Sequence, residues 1–189
     1  MEKKNEIIEN FKTALKSTVR SISNKDDIEV SFGGQIVSSD KNIIKLPEID
    51  QQQNEINFSK ARAYADSESL KLKFSNDEIY KNYEPKGTKA KKLYEIAEKI
   101  RYETLGTKEY KGIKNNLLDF YAKKKLDQSK QNQIYDAFEF YLLKEFFKEK
   151  DLKKENSSFT KYKKDFDKIF KYKLSEVKES VNDQKTFNS

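Results

Sequence analysis

Five glycines and two prolines are spread over 189 residues, and this scarcity of chain-breaking residues constrains the fold more than any other feature. With so little Gly or Pro to turn the backbone, the elements must be long. Most scan at helical spacing. Ile7, Ile8, Phe11, Leu15, Val19 and Ile22 recur every three to four residues, so 3–23 is predicted as an amphipathic helix. The pattern then changes in "DIEVSFGGQIVSSDKNIIKLP", where β-branched and aromatic residues surround Gly33-Gly34. This predicts a small β element at 27–46, one or two short strands with a turn, ending at Pro47. Polar residues 48–57 read as a loop. Ser59 or Asn57 is a candidate cap for a helix reaching Phe74, with Phe58, Ala61, Ala65 and Leu72 inward.

The later helices follow the same logic. "NDEIYKNYEP" reads as a short helical turn stopped by Pro85. Ala90, Leu93, Ala97 and Ile100 predict a helix from Thr88 to Thr104, closed by Gly106 as a left-handed C-terminal residue. A further helix is expected from Gly112 to Leu126. Residues 133–147, "QIYDAFEFYLLKEFF", are apolar on nearly every side and read as the central, most enclosed helix. Phe159, Tyr162, Phe166, Ile169, Phe170, Leu174, Val177 and Val181 predict one last helix from Ser158 to about Val181. The expected architecture is therefore mainly α, a multi-helix, bundle-like single domain over 1–181, with 182–189 as a frayed tail.

Chemistry is bounded by what is missing. The chain has no cysteine and no histidine, which removes disulfides, thiolate sites and the commonest ligand for transition metals. Ser-His-Asp and Cys-His systems are excluded, leaving carboxylates, lysines and tyrosines as acid-base groups. No phosphate-binding glycine loop is present. A net charge of +7 and a pI near 9.2 admit a basic helical nucleic-acid-binding domain as an alternative, but the lysines are mostly interleaved with Asp and Glu. Aromatics and lysines alternate in "FTKYKKDFDKIFKYK", yet at helical spacing those aromatics gather on one stripe, which favours packing over base stacking. Without a signal peptide or an apolar run long enough to span a bilayer, a soluble, cytoplasmic protein is expected.

The stretch "YEIAEKIRYETLG" at 94–106 looks most like an active site. Glu98 and Glu103 lie five positions apart, a rotation of about 140° around a helix, so they cannot converge as a catalytic carboxylate pair. Glu98 and Arg101 do share a face, as do Arg62 and Asp66. Only three of the 39 basic residues are arginine, Arg20, Arg62 and Arg101. In a chain that otherwise uses lysine, they mark places for a planar, bidentate cation, and at least two of the three are expected in partly buried, hydrogen-bonded networks, the alternative being ordinary surface arginines. No residue is assigned a catalytic, cofactor or metal role. The candidates, structural or partner-docking, are Arg20, Arg62, Asp66, Glu98, Arg101, Gly106, Gly112 and Asn116.

These segments, read in order, resemble a known family. "FKTALKSTVRSI", "IEVSF", "ARAYADSESLKLKF", "YEPKGTKAKKLYEIAEKIRYETLGTKEYKGIKNNL" and "IYDAFEFYLLKEF" are similar to the N-terminal region of the CobT subunit of aerobic cobaltochelatase. The most specific pattern, E-x-x-R-x-E-x-x-G followed by G-[VI]-x-x-N-L, falls on Glu98, Arg101, Glu103 and Gly106, then Gly112, Ile113, Asn116 and Leu117. An R-G-x-A-D pattern falls on Arg62, Ala63, Tyr64, Ala65 and Asp66, with alanine at the glycine position. Histidines common in the next segment are replaced by Asn76 and Tyr80. The resemblance implies a non-catalytic assembly domain of a machine that inserts Co²⁺ into a corrin ring at the expense of Mg-ATP, with neither cofactor held by this domain. It implies an AAA+ ATPase subunit and a large corrin-binding subunit as partners, with self-association also open. A linker and a von Willebrand A-type domain are expected to follow in the longer protein.

Overall fold

The computed structural model describes residues 2–33, 43–49, 58–124, 133–147 and 157–189. It is mainly α. Helix α1 (Glu2–Ser23) leads into strands β1 (Glu29–Phe32) and β2 (Ile43–Leu46), then α2 (Phe58–Phe74) and the short α3 (Asp77–Tyr83). After Pro85 come α4 (Thr88–Glu109), α5 (Lys111–Lys123), α6 (Gln133–Phe147) and α7 (Ser157–Phe170). The chain finishes with α8 (Leu174–Glu179), a 3₁₀ turn (Ser180–Asn182) and α9 (Gln184–Asn188).

The small β element is present, but its two strands run parallel, with Val30 opposite Ile44 and Phe32 opposite Leu46. Parallel strands need a crossover, so the tight turn expected between them is ruled out. Gly33 has φ +64° and its amide donates to Leu46 O at 3.0 Å, which extends the ladder by one bond. Gly34, residues 50–57 of the loop expected at 48–57, with Asn57 among them, and Leu126 lie outside the described residues. Ser59 stands inside α2 rather than capping it.

Two apolar clusters share α2 as a wall. Ala61 and Ala65 face Ile8, Leu15, Val19, Val30 and Leu46, the cluster built by α1 and the strands. Ala63 and Leu70 join the larger cluster of Ile96, Ile100, Leu117, Phe138, Leu142, Phe159 and Phe166. Small side chains on both sides let α1 and α4 approach α2 closely.

Helix α6 is the most enclosed, as expected, with none of its residues exposed, but it packs mainly on α4 and α7, and α2 and α4 are the helices that touch the most other elements. Two further expectations are corrected. The last helix is broken at Lys171–Lys173, and the single stripe is divided between α7, α8 and the 3₁₀ turn. The tail is folded: Asp183 caps α9 by accepting from the Lys185 and Thr186 amides, and Gln184 is buried.

Gly106 also departs from expectation. It does not close α4, which runs on to Glu109. Its missing side chain makes room for Leu70: a Cβ there would lie 2.8 Å from Leu70 Cγ and closer still to both methyls. The glycine is needed for helix-to-helix distance, not for a left-handed turn. Gly106→Ala is expected to destabilise by about 1–3 kcal/mol through overpacking, and the double variant Gly106→Ala/Leu70→Ala to lose less than the sum of its parts. Urea melts of the four proteins in a double-mutant cycle measure this; strict additivity would show that the glycine matters for another reason.

Candidate functional site

Polar side chains inside the helical body form three separate networks, and most of the candidate residues belong to them. The first is centred on Arg101, 1 % exposed, and Glu98, 3 % exposed, one turn apart on α4. The pair is bidentate: Arg101 Nε donates to Glu98 Oε2 at 2.9 Å and Nη2 to Oε1 at 2.8 Å. The remaining guanidinium donors reach backbone, Nη2 to Phe74 O at 2.5 Å and Nη1 to Val181 O at 3.2 Å. Glu98 Oε1 also accepts from Ser75 Oγ at 2.8 Å and Gln184 Nε2 at 3.0 Å. Gln184 Oε1 in turn accepts the Asn76 amide at 2.7 Å. One buried arginine thus joins the end of α2, the middle of α4, the 3₁₀ turn and α9.

The second network binds α1, α2 and α5. Asp66 is fully buried, accepting from Arg62 Nε at 3.1 Å and Asn116 Nδ2 at 2.7 Å. Arg62 Nη1 makes a longer bond to Thr18 Oγ1 at 3.4 Å. Burial pushes the Asp66 carboxyl up, and Asn116 and Arg62 oppose that shift without cancelling it.

The third network was not singled out from sequence. Glu103 is fully buried and accepts from Ser67 Oγ and Tyr121 Oη, each at 2.6 Å. Lys99 lies 4.0 Å from Glu103 and 3.5 Å from Glu139, and Lys124 pairs with Glu139 and with Asp136 at 3.3 Å. Burial raises the Glu103 pKa despite Lys99, Ser67 and Tyr121. Glu139 is also pushed up by burial, but Lys99 and Lys124 outweigh that and leave it below its ordinary value. A signal for Glu103 was present: it falls seven residues after Ile96 and three after Ile100, so a charge sits on the apolar stripe of α4.

The remaining candidates lie apart. Arg20 is exposed, its Nε donating to Ile28 O at 3.1 Å and fastening the loop after α1. Gly112 is exposed near the start of α5, with open space where a side chain would stand. At least two arginines were expected in partly buried networks, and Arg62 and Arg101 are. Glu98 and Glu103 belong to different networks with no common partner, as their angular separation requires.

A cleft of about 700 Å³ opens between the end of α2, α3, α4 and the start of α6. Glu98, Lys99, Tyr102 and Glu139 line it together with Lys71 and Tyr135. Its buried carboxylates already accept from protein donors, Glu98 from Arg101, Ser75 and Gln184 and Glu139 from Lys124. Among the described residues, no group of three or more carboxylates is placed to hold a metal ion.

Comparison with known proteins fits this arrangement. A family model described as "Cobalamin biosynthesis protein CobT" matches residues 5–189. The chain belongs to the CobT family. Membership implies a role in cobalamin biosynthesis. The match takes in α9. No solved structure matches this CobT chain. No helix among its described residues is long and apolar enough to cross a membrane.

Two outcomes are expected. Arg101→Ala leaves Glu98 buried without its cation and two backbone carbonyls without donors, so stability should drop by about 3–5 kcal/mol. Arg101→Lys, unable to reproduce the fork, should recover only part of this in chemical denaturation; full recovery by lysine would show that charge alone suffices. Glu103 carries a pH signature. Its raised folded pKa means that the native state holds the proton more tightly than the unfolded chain, so its contribution is complete below the unfolded value and is lost as pH rises through the folded one. Comparing wild type with Glu103→Gln by urea midpoints from about pH 4.5 upward should show the variant's relative stability improving as pH rises. A flat difference would mean that Glu103 titrates alike in both states.

Proposed function

We propose that this domain is a non-catalytic assembly domain of a cobaltochelatase subunit, supporting ATP-driven insertion of Co²⁺ into a corrin ring. The observation that carries this reading is the direction of the family-pattern residues. Arg101, Glu98, Glu103, Asp66 and Asn116 hydrogen-bond to one another or to neighbouring elements, fixing how helices meet. Residues committed in this way set the shape of a surface and do not touch a substrate. Gly106, also in the pattern, sets the α2–α4 distance.

The partners proposed are an AAA+ ATPase subunit and a large corrin-binding subunit in the cytoplasm, with a linker and a von Willebrand A-type domain following in the longer protein. Mg-ATP and Co²⁺ are then handled elsewhere in the complex. A body whose elements are locked together by buried forks suits the transmission of movement, because displacement at one surface is not absorbed within it.

Co-purification tests the proposal. The domain should be retained by the cognate ATPase subunit or the large subunit, in amounts that depend on ATP, and Arg101→Ala should lose retention along with stability. Absence of a complex with both subunits, with and without nucleotide, overturns it.

A further inference from the structure

Charge is unevenly distributed over the surface. Residues 157–173 hold six lysines against two aspartates, more than half of the net charge of +7 in less than a tenth of the chain. At 100° per residue, Lys161, Lys164 and Lys168 fall within about 60° of one another on α7. Lys171 continues that line in the turn that follows. All four are exposed. None makes an ion pair among the described residues, whereas Lys163, off the line, pairs with Asp167 at 3.2 Å. The opposite face of α7 is fully used, with Phe159 and Phe166 buried against Phe138, Phe140 and Tyr141 of α6.

Beside the stripe stand the two most exposed large apolar side chains among those described, Ile169 at 64 % and Tyr172 at 78 %. Lys161 lies over the Tyr162 ring at 5.0 Å and Lys171 over the Tyr172 ring at 5.2 Å, and Asp165 and Asp167 only partly offset the six lysines. Concentrated charge with flanking apolar groups is the composition of a contact surface.

We infer that the solvent face of α7 docks an acidic amphipathic helix of a partner protein; this rests on the assembly reading above and names the chemistry of its partner. The spacing selects the partner. From Lys161 to Lys171 the stripe runs about 15 Å in three steps of about 5 Å, the repeat of side chains at i, i+3 and i+4 on another helix. An acidic helix lying alongside presents carboxylates at the same interval. Successive phosphates of a nucleic-acid strand are spaced more widely and curve away from a straight helix. The set is also all lysine, without the arginine forks that nucleic-acid and phosphate recognition favours. Ile169 and Tyr172 then receive apolar residues at the edge of the acidic stripe, and Asp165, one turn from Lys161 and from Lys168, disfavours a uniformly anionic surface.

The test uses a synthetic helical peptide of about 18 residues, with glutamates at i, i+3, i+4 and i+7 flanked by leucines, and a scrambled peptide of the same composition. Fluorescence anisotropy should show the patterned peptide binding on the order of tenfold more tightly than the scrambled one. Binding should weaken by a similar factor in the K161E/K164E/K168E/K171E protein, and also at about 0.5 M salt. The side chains are exposed, so melting should stay near wild type; if it does not, the four-glutamine version replaces the reversal. Equal binding of both peptides overturns the inference, as does tighter binding of a 20-nucleotide strand or of anionic vesicles. Pull-downs separate the two levels of the reading. If wild type and the charge-reversed protein are both retained by a chelatase subunit, the stripe is not the docking surface and the assembly role stands. If wild type binds the patterned peptide but neither subunit, the stripe stands and the assembly role falls.

Discussion

The guanidinium of Arg101 is the interaction on which the rest of this fold depends. Removing such a group from water is costly unless its donors all find acceptors. Here they find the Glu98 carboxylate and two backbone carbonyls at places where helical hydrogen bonding has run out. Phe74 is the last residue of α2, so its carbonyl has no partner within that helix. Val181 lies in the 3₁₀ turn. The arginine therefore acts as a C-terminal cap supplied from another helix, and its charge faces the negative end of the α2 dipole.

The other two networks solve the same problem with different chemistry. Asp66 is held by one arginine and one amide, and Glu103 by two hydroxyls with a lysine at longer range. Each buried acid joins helices distant in sequence, and each keeps a different set of partners. Orientation between helices is thereby specified at three separate points, which apolar packing alone specifies poorly because it has no direction.

Much of the helical layout was legible because it rests on local periodicity. Ile8, Leu15 and Val19 repeat at the interval of a helix, and no tertiary contact is needed to see it. Arg62 and Arg101 were legible for a compositional reason, their rarity among lysines. What was hidden depended on contacts across the sequence. Gly106 has the signature of a helix end, and only the nearness of Leu70, 36 residues earlier, reveals it as a close approach. The last residues read as polar and frayed because what holds Gln184 lies on Glu98 and Asn76, far back in the chain. The strand pairing was hidden too, since short apolar runs do not disclose whether neighbours run parallel. Glu103 was legible in principle, being a charge on an apolar stripe, but its partners Ser67 and Tyr121 were not.

Helix α2 carries alanine toward both of its neighbours, and this joins the fates of the two apolar clusters. A helix that is a wall to two cores cannot open toward one without exposing the other. Its backbone amides should therefore exchange with solvent only when the whole domain unfolds. In the language of cooperative units, two cores that look separable in outline are one foldon, with α2 as the element they hold in common.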